Sequence, residues 1–302
     1  MSQQLVLNVL KWTCFFIFAG RAYQFLFWDA PFRSVLWDQD LLSPIVEGIF
    51  NIPWKDYVTS LQHDSYIQNS IRLNGVFYAL CAFLSLIVQQ NSSKIVKGII
   101  FSGGTLLVIL ALLQTKSKFY VFAMFFEHAI QFGSPFLLLF YLKHFSVTRL
   151  IQPLKLMIAL TFLCHGLYAL GYFFPLPANF VTMTMNILGT DEPTTKTLLF
   201  VAALLDFVIV IGIYMPQLTK YVLAYAVFWG FITAFARIWS ELVYSSALIT
   251  IHQTLYETIF RLSHGLIPLL YYIILKKTQQ ETYKPLINNR INSSPQVTVK
   301  ST

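Results

Sequence analysis

Runs of roughly 20 apolar residues recur along the chain between short polar stretches, and that spacing organises everything else. Eight runs can be read, at 5–27, 71–88, 95–113, 120–142, 154–174, 197–215, 221–242 and 251–275. A hydrocarbon core about 30 Å thick is crossed by roughly 20 residues of α-helix. The pattern therefore predicts an all-α integral membrane protein with about eight transmembrane helices. The third and sixth runs are short, and are expected to tilt little or to be flanked by snorkelling lysines. Between the first and second runs, 28–70 mixes Trp, Phe and Leu with acidic residues in "WDAPFRSVLWDQDLLSPIVEGIF" and "IPWKDYVTSL". Such segments suit short helices lying at the membrane interface. The end of the chain, 278–302, is polar, rich in Asn, Ser and Thr and without hydrophobic period. That is the pattern of a disordered tail.

Composition agrees with this reading. The chain is 56% hydrophobic and 11% charged, with mean hydropathy +0.62, whereas soluble domains carry about 25% charged residues. A net charge of +8 would point a soluble protein towards nucleic acid. Here the bilayer is the expected partner and nucleic acid is not, because the basic residues fall in loops on one side. Lys94, Lys97, Lys143, Arg149, Lys155, Lys220, Lys276 and Lys277 share that side, while 28–70 and Asp191–Glu192 make the other side acidic. The Lys/Arg bias places both termini in the cytoplasm, in a cell membrane that is the inner one if the source is bacterial. Lys116 and Lys118 run against the trend. Cys14, Cys81 and Cys164 lie in apolar runs with no C-x-x-C pair, and read as small core or lipid-facing residues rather than a disulfide. The N-terminus lacks a basic leader region and an A-x-A site, and Lys11 interrupts its apolar run, so it is expected to stay as a span.

The chain also reads as a tandem repeat. "HAIQFGSPFLLLFYLKH" (128–144) aligns without gaps with "RLSHGLIPLLYYIILKK" (261–277), matching Pro135 to Pro268 and Lys143 to Lys276. "RAYQFLFWDAP" (21–31) aligns with "HGLYALGYFFP" (165–175), matching Arg21 to His165 and Pro31 to Pro175. The expected organisation is a first four-helix unit over 1–150, a second over 151–277 and the tail from 278. Two four-span copies share one orientation, so they should be related by a pseudo-twofold along the membrane normal.

Three features of the first unit carry a family resemblance. Its first span ends in a polar residue, a long outer segment returns to the membrane, and its fourth span has Glu127 followed by "GSPFLLL" (133–139). In these it resembles the DoxX-like family of small bacterial membrane proteins, and in general layout the membrane region of vitamin-K-dependent carboxylase-like proteins. The resemblance covers about residues 10–277 as two copies. It implies a four-helix fold for each half and, as for some family members, a link to quinol oxidation or thiol-oxidative stress. The chain has no paired cysteines and no evident counterpart of a carboxylase lysine base.

The chemistry, if any, rests with polar groups inside the spans, each of which costs a few kcal/mol in hydrocarbon. Glu127 and Gln131 are four residues apart and should share a helix face with Ser134, with His128 alongside. Glu257, Arg261 and His264 follow the i, i+4, i+7 rule, and Arg237 and Glu241 are i, i+4. Arg21, His165 and Asp206 complete the set, Asp206 standing alone in mid-span. Given the direction of each span, most of these groups lie at one depth beneath the acidic loops. They are expected to converge in one polar pocket between the two units, as a ligand or proton-handling site or as structural ion pairs. The six histidines show no H-x-x-x-H or H-E-x-x-H spacing, and no dinucleotide, Walker or G-x-S-x-G motif occurs. The "SGG" at 102–104 reads as a helix-packing site.

The leading expectation is a protein that binds a small lipophilic or amphipathic molecule, a quinone or a lipid, in an outer-half pocket. Any redox chemistry would need a bound cofactor such as that quinone, or a partner. The alternatives are a non-catalytic subunit or assembly factor of a membrane protein complex, and a small-molecule transporter.

Overall fold

A computed structural model describes residues 3–292, with side chains placed for 3–277. Among the described residues the elements are α-helices joined by turns, with two short 3-10 segments: α1 (Gln3–Phe27), α2 (Arg33–Leu36), α3 (Gln39–Val46), α4 (Trp54–Thr59), α5 (Leu61–Ile87), α6 (Lys94–Ser117), α7 (Phe122–Phe126), α8 (Ala129–His144), α9 (Ile151–Leu170), α10 (Ala178–Leu188), α11 (Glu192–Gly212), α12 (Pro216–Glu241), α13 (Ala247–Arg261) and α14 (Ser263–Asn292). Eight stretches are long and apolar enough to cross a membrane, with α7–α8 forming the fourth and α13–α14 the eighth. The protein is thus an all-α integral membrane protein.

Two boundaries differ from expectation. The second span starts at Leu61 rather than near 71, because the Ser60 side chain caps the helix by accepting from the His63 N–H. The last helix runs on through Asn292, so 278–292 is helical where a disordered tail was expected, and 293–302 lie outside the described residues. The Gln, Glu and Lys of "TQQETYK" are good helix formers that extend a helix already nucleated in the span.

Burial separates the spans into two classes. In the first, fourth, fifth and eighth, 50–61% of the apolar window is buried, against 33–39% in the second, third, sixth and seventh. The first class forms the centre of the bundle and the second its lipid-facing flanks. Leu73, Val76, Leu80 and Phe83 of α5 and Leu204, Val208 and Ile211 of α11 form part of that exposed apolar surface. The pairings of one half recur in the other: α1 packs on α5 as α9 packs on α11, and α6 on α8 as α12 on α14. Across the middle, α1 meets α13 and α14, while α9 meets α7 and α8.

Two contacts show how closely the backbones approach. A Cβ on Gly20 would lie 2.7 Å from the Phe260 nitrogen, and one on Gly230 would lie 2.4 Å from the His264 carbonyl oxygen. Such small residues let membrane helices pack without a hydrophobic driving force between them.

The fourth and eighth spans are both interrupted in their first half, at Glu127–His128 and at Leu262. The cause is local. The His128 Nδ1–H donates to the Met124 carbonyl at 2.7 Å and the His264 Nδ1–H to the Arg261 carbonyl at 3.0 Å. The Ser263 hydroxyl takes the Phe260 carbonyl at 2.8 Å. Side chains that bond the preceding turn compete with the helix ladder. Pro135 and Pro268, one and a half to two turns further on, also remove an N–H from each ladder.

Short helices close one end. α2, α3 and α4 form over 28–60, as the aromatic-acidic pattern implied, and dock through Arg33, which bonds Asp29 at 2.9 Å and Asp64 at 2.7 Å. Lys116 pairs with Asp38, which gives a local partner to a lysine on the side where basic residues were not expected. In the second half α10, an eleven-residue helix between Pro177 and Gly189, takes the equivalent place. Gly189 ends it in the left-handed conformation, φ 65°.

Two outcomes are expected. Gly230→Ala should lower stability by at least about 1–3 kcal/mol, since the methyl meets backbone that has nowhere to go. Gly98→Ala, which meets open space, should raise it by up to about 1 kcal/mol; thermal unfolding in one detergent compares them. The hydrogen bond from Lys116 holds the Asp38 carboxyl below its ordinary value. Its stabilisation is therefore complete above the ordinary aspartate range and is lost as pH falls through the lowered value. The melting temperatures of wild type and Asp38→Asn should differ at neutral pH and converge in acid.

Candidate functional site

The deepest charge is Arg21. Its side chain is 2% exposed, and its guanidinium donates to Gln24 Oε1 at 2.7 Å and to Gln131 Oε1 at 2.6 Å. It also lies 3.8 Å above the Phe260 ring centroid, a cation–π contact that gains strength away from water. One side chain on α1 thereby ties the fourth and eighth spans to the first. Only Nε of this guanidinium is buried without a partner.

In the gap-free alignments Arg21 stands opposite His165 and Gln131 opposite His264. The second pair also meets: the His165 and His264 rings are 5.5 Å apart, edge to face. Their bonding differs, because Nε2 of both histidines is buried with no hydrogen-bond partner.

Beside His165 lies a partly open cavity of about 190 Å³, bordered by α9, α11, α12 and α13 and covered on one side by α10. Its walls are mainly apolar, with Phe180, Met183, Ile187, Leu199, Trp229 and Ile232 among them, and four charged or titratable side chains reach it: His165, Asp206, Arg237 and Arg261. Each of the four has a buried polar atom that bonds nothing in the protein, namely Asp206 Oδ1, His165 Nε2, and Nε of both arginines. Buried polar atoms are ordinarily paired, at a cost of about 1–3 kcal/mol when they are not. Arg237 approaches the Glu257 carboxylate only to 3.9 Å and the Phe180 ring centroid to 5.8 Å. The Tyr256 hydroxyl donates to the other Glu257 oxygen at 3.3 Å. The polar groups are spread in depth: Asp206 lies 14 residues into α11, about 21 Å along its axis, whereas Arg237 is four residues, about 6 Å, from the end of α12.

No family model, curated protein or solved structure matches the chain. The geometry alone must carry the functional reading.

Arg21 and Gln131 bond one another at the centre, while the cavity is lined by the second half. Glu127 and His128, a buried pair with Glu127 Oε1 3.7 Å from His128 Nε2, do not line the cavity, but both interact electrostatically with Arg21 and Arg261, and Glu127 with Arg237 as well. The buried polar groups of the two halves thus form one electrostatic cluster, with the cavity on its second-half side. Glu241 does not join the cluster: it is the exposed last residue of α12, where water reaches it, and Arg237 faces Glu257. The three cysteines are buried and free, and among the described residues no group of three His, Cys, Asp or Glu could hold a metal. Sequence reasoning missed the covering helix. "ANFVTMTMNIL" is a short amphipathic stretch between Pro and Gly, a signal that was present but did not say what it covers.

Gln131→Leu strands a guanidinium nitrogen of Arg21 in the core and should cost about 1–3 kcal/mol in thermal unfolding. Gln131→Glu, which keeps an acceptor oxygen there, should cost less.

Proposed function

We propose that the protein binds a small lipophilic or amphipathic molecule in the cavity of the second half, with acceptor oxygens towards Arg237 and Arg261 and a donor group towards Asp206. The observation that carries this reading is the set of buried polar atoms without hydrogen bonds around one apolar space, Asp206 Oδ1 and His165 Nε2 above all. Arg237 Nε has only the Glu257 carboxylate, 3.9 Å away. At about 190 Å³ the space is smaller than the roughly 300–1,000 Å³ of drug-sized sites. It suits a ring or head group, with any tail lying outside. A quinone ring and a lipid head are the two classes that fit, and the first is what the DoxX-like resemblance implies. The reading of the chain as two DoxX-like units is supported by the recurring pairings, by breaks at nearly aligned positions of the fourth and eighth spans, and by the equivalent meetings of Arg21 with Gln131 and His165 with His264. Both termini are placed on the cytoplasmic side by loop charge, with the cavity towards the opposite face.

The interrupted spans favour one second reading, a transporter, since discontinuous helices at a polar site are what alternating access uses.

The test is native mass spectrometry of detergent-purified wild type beside Arg237→Gln, Asp206→Asn and, for comparison, Glu241→Gln. Wild type and Glu241→Gln should carry one specific small molecule, at least tenfold depleted in the other two while their folds persist. If wild type carries none, and Arg237→Gln and Asp206→Asn lose only thermal stability, the groups are structural and the proposal fails.

A further inference from the structure

At the opposite end of the bundle from α10, Lys11 poses a separate question. It sits two turns inside α1, and its side chain is largely covered, with the residue only 8% exposed. Among the described residues no carboxylate pairs with it. An ammonium held below the membrane boundary with no counter-charge is costly, and lysines at such depths ordinarily snorkel to water. This one faces a groove of about 490 Å³ formed by α1, the turn between α5 and α6, and Phe145 beyond α8.

The rest of the groove is polar in a particular way. Gln4, Gln89, Gln90 and Asn91 line it with neutral carboxamides, and no acidic residue is among them. Gln4 and Lys11 are seven residues apart and so share one face of α1. Lys97 reaches over the rim, its Nζ donating to the Gln90 carbonyl at 2.7 Å. One lining cation and neutral amides around an open space, with a second lysine at the rim and Leu7 and Phe145 as apolar sides, form a receptor for an anion that has apolar substance attached. Lys11 lies eight residues into α1, about 12 Å along its axis from the end that carries the basic loops, so an anion that reaches it from that end brings its attached apolar part against Leu7 and Phe145.

We propose that this groove is a specific site for the phosphodiester head group of an anionic phospholipid, with Lys11 as its counter-charge. The site is independent of the cavity beneath α10: it uses other residues and the other end of the bundle. A free phosphate shares the recognising chemistry but would not use the apolar sides of the groove.

The test titrates delipidated full-length protein with short-chain phosphatidylglycerol, phosphatidylcholine or inorganic phosphate, and counts bound molecules by native mass spectrometry. Wild type should bind a single phosphatidylglycerol at least tenfold more tightly than phosphatidylcholine. Lys11→Met should lose that preference, Lys11→Arg should keep it, and Lys94→Met, at an exposed lysine outside the groove, should leave it unchanged. Retention by the arginine variant separates loss of the site from loss of the fold. Equal binding of both lipids by wild type, or an unchanged preference in Lys11→Met, would overturn the proposal. So would saturation by inorganic phosphate with no lipid preference, which would assign the groove to a soluble anion.

Discussion

Arg21 holds a permanent charge at the middle of the bundle, and hydrocarbon offers it nothing. Its hydrogen bonds to Gln24 and Gln131 and its stacking on Phe260 are therefore conditions of folding rather than additions to it. They fix which spans stand together, because the first must face both the fourth and the eighth. The close approach at Gly20, where the chain comes against the backbone of α13, is what lets the guanidinium reach the Phe260 ring. From this constraint follows the central placement of the first, fourth and eighth spans.

Corresponding positions of the two halves are bonded differently. Where the first half has Arg21 and Gln131, the second has His165 and His264, shorter side chains that meet ring to ring and leave nitrogen atoms unbonded. Space remains beside His165, and Asp206, Arg237 and Arg261 border it. One arrangement largely closes on itself. The other leaves buried polar atoms without hydrogen bonds beside an apolar space.

The fold was largely legible in the sequence because the bilayer imposes a simple period: eight apolar runs became eight spans. Even the break positions had a cue, since a histidine stands at or beside each of them, His128 and His264, with a proline further on. The candidate residues were legible as well, because any ionisable group within such a run is conspicuous. Their partners were not. Helical spacing put Arg237 with Glu241, but Glu241 is the exposed end of its helix and Arg237 faces Glu257 instead. What faces what across helices depends on small residues such as Gly230, whose contact with the His264 carbonyl no periodicity announces. Asp206 shows the same limit from the other side: it was evident as a lone mid-span acid, and only packing shows that it borders a cavity.

The most direct measurement is a high-resolution cryo-electron microscopy map of the protein taken from its own membrane without exchange of bound molecules. Non-protein density should fill the space under α10, with polar atoms within hydrogen-bond distance of Arg237, Arg261 and Asp206. A cavity closed by its own side chains, with those four orphaned atoms paired to one another, would contradict the account.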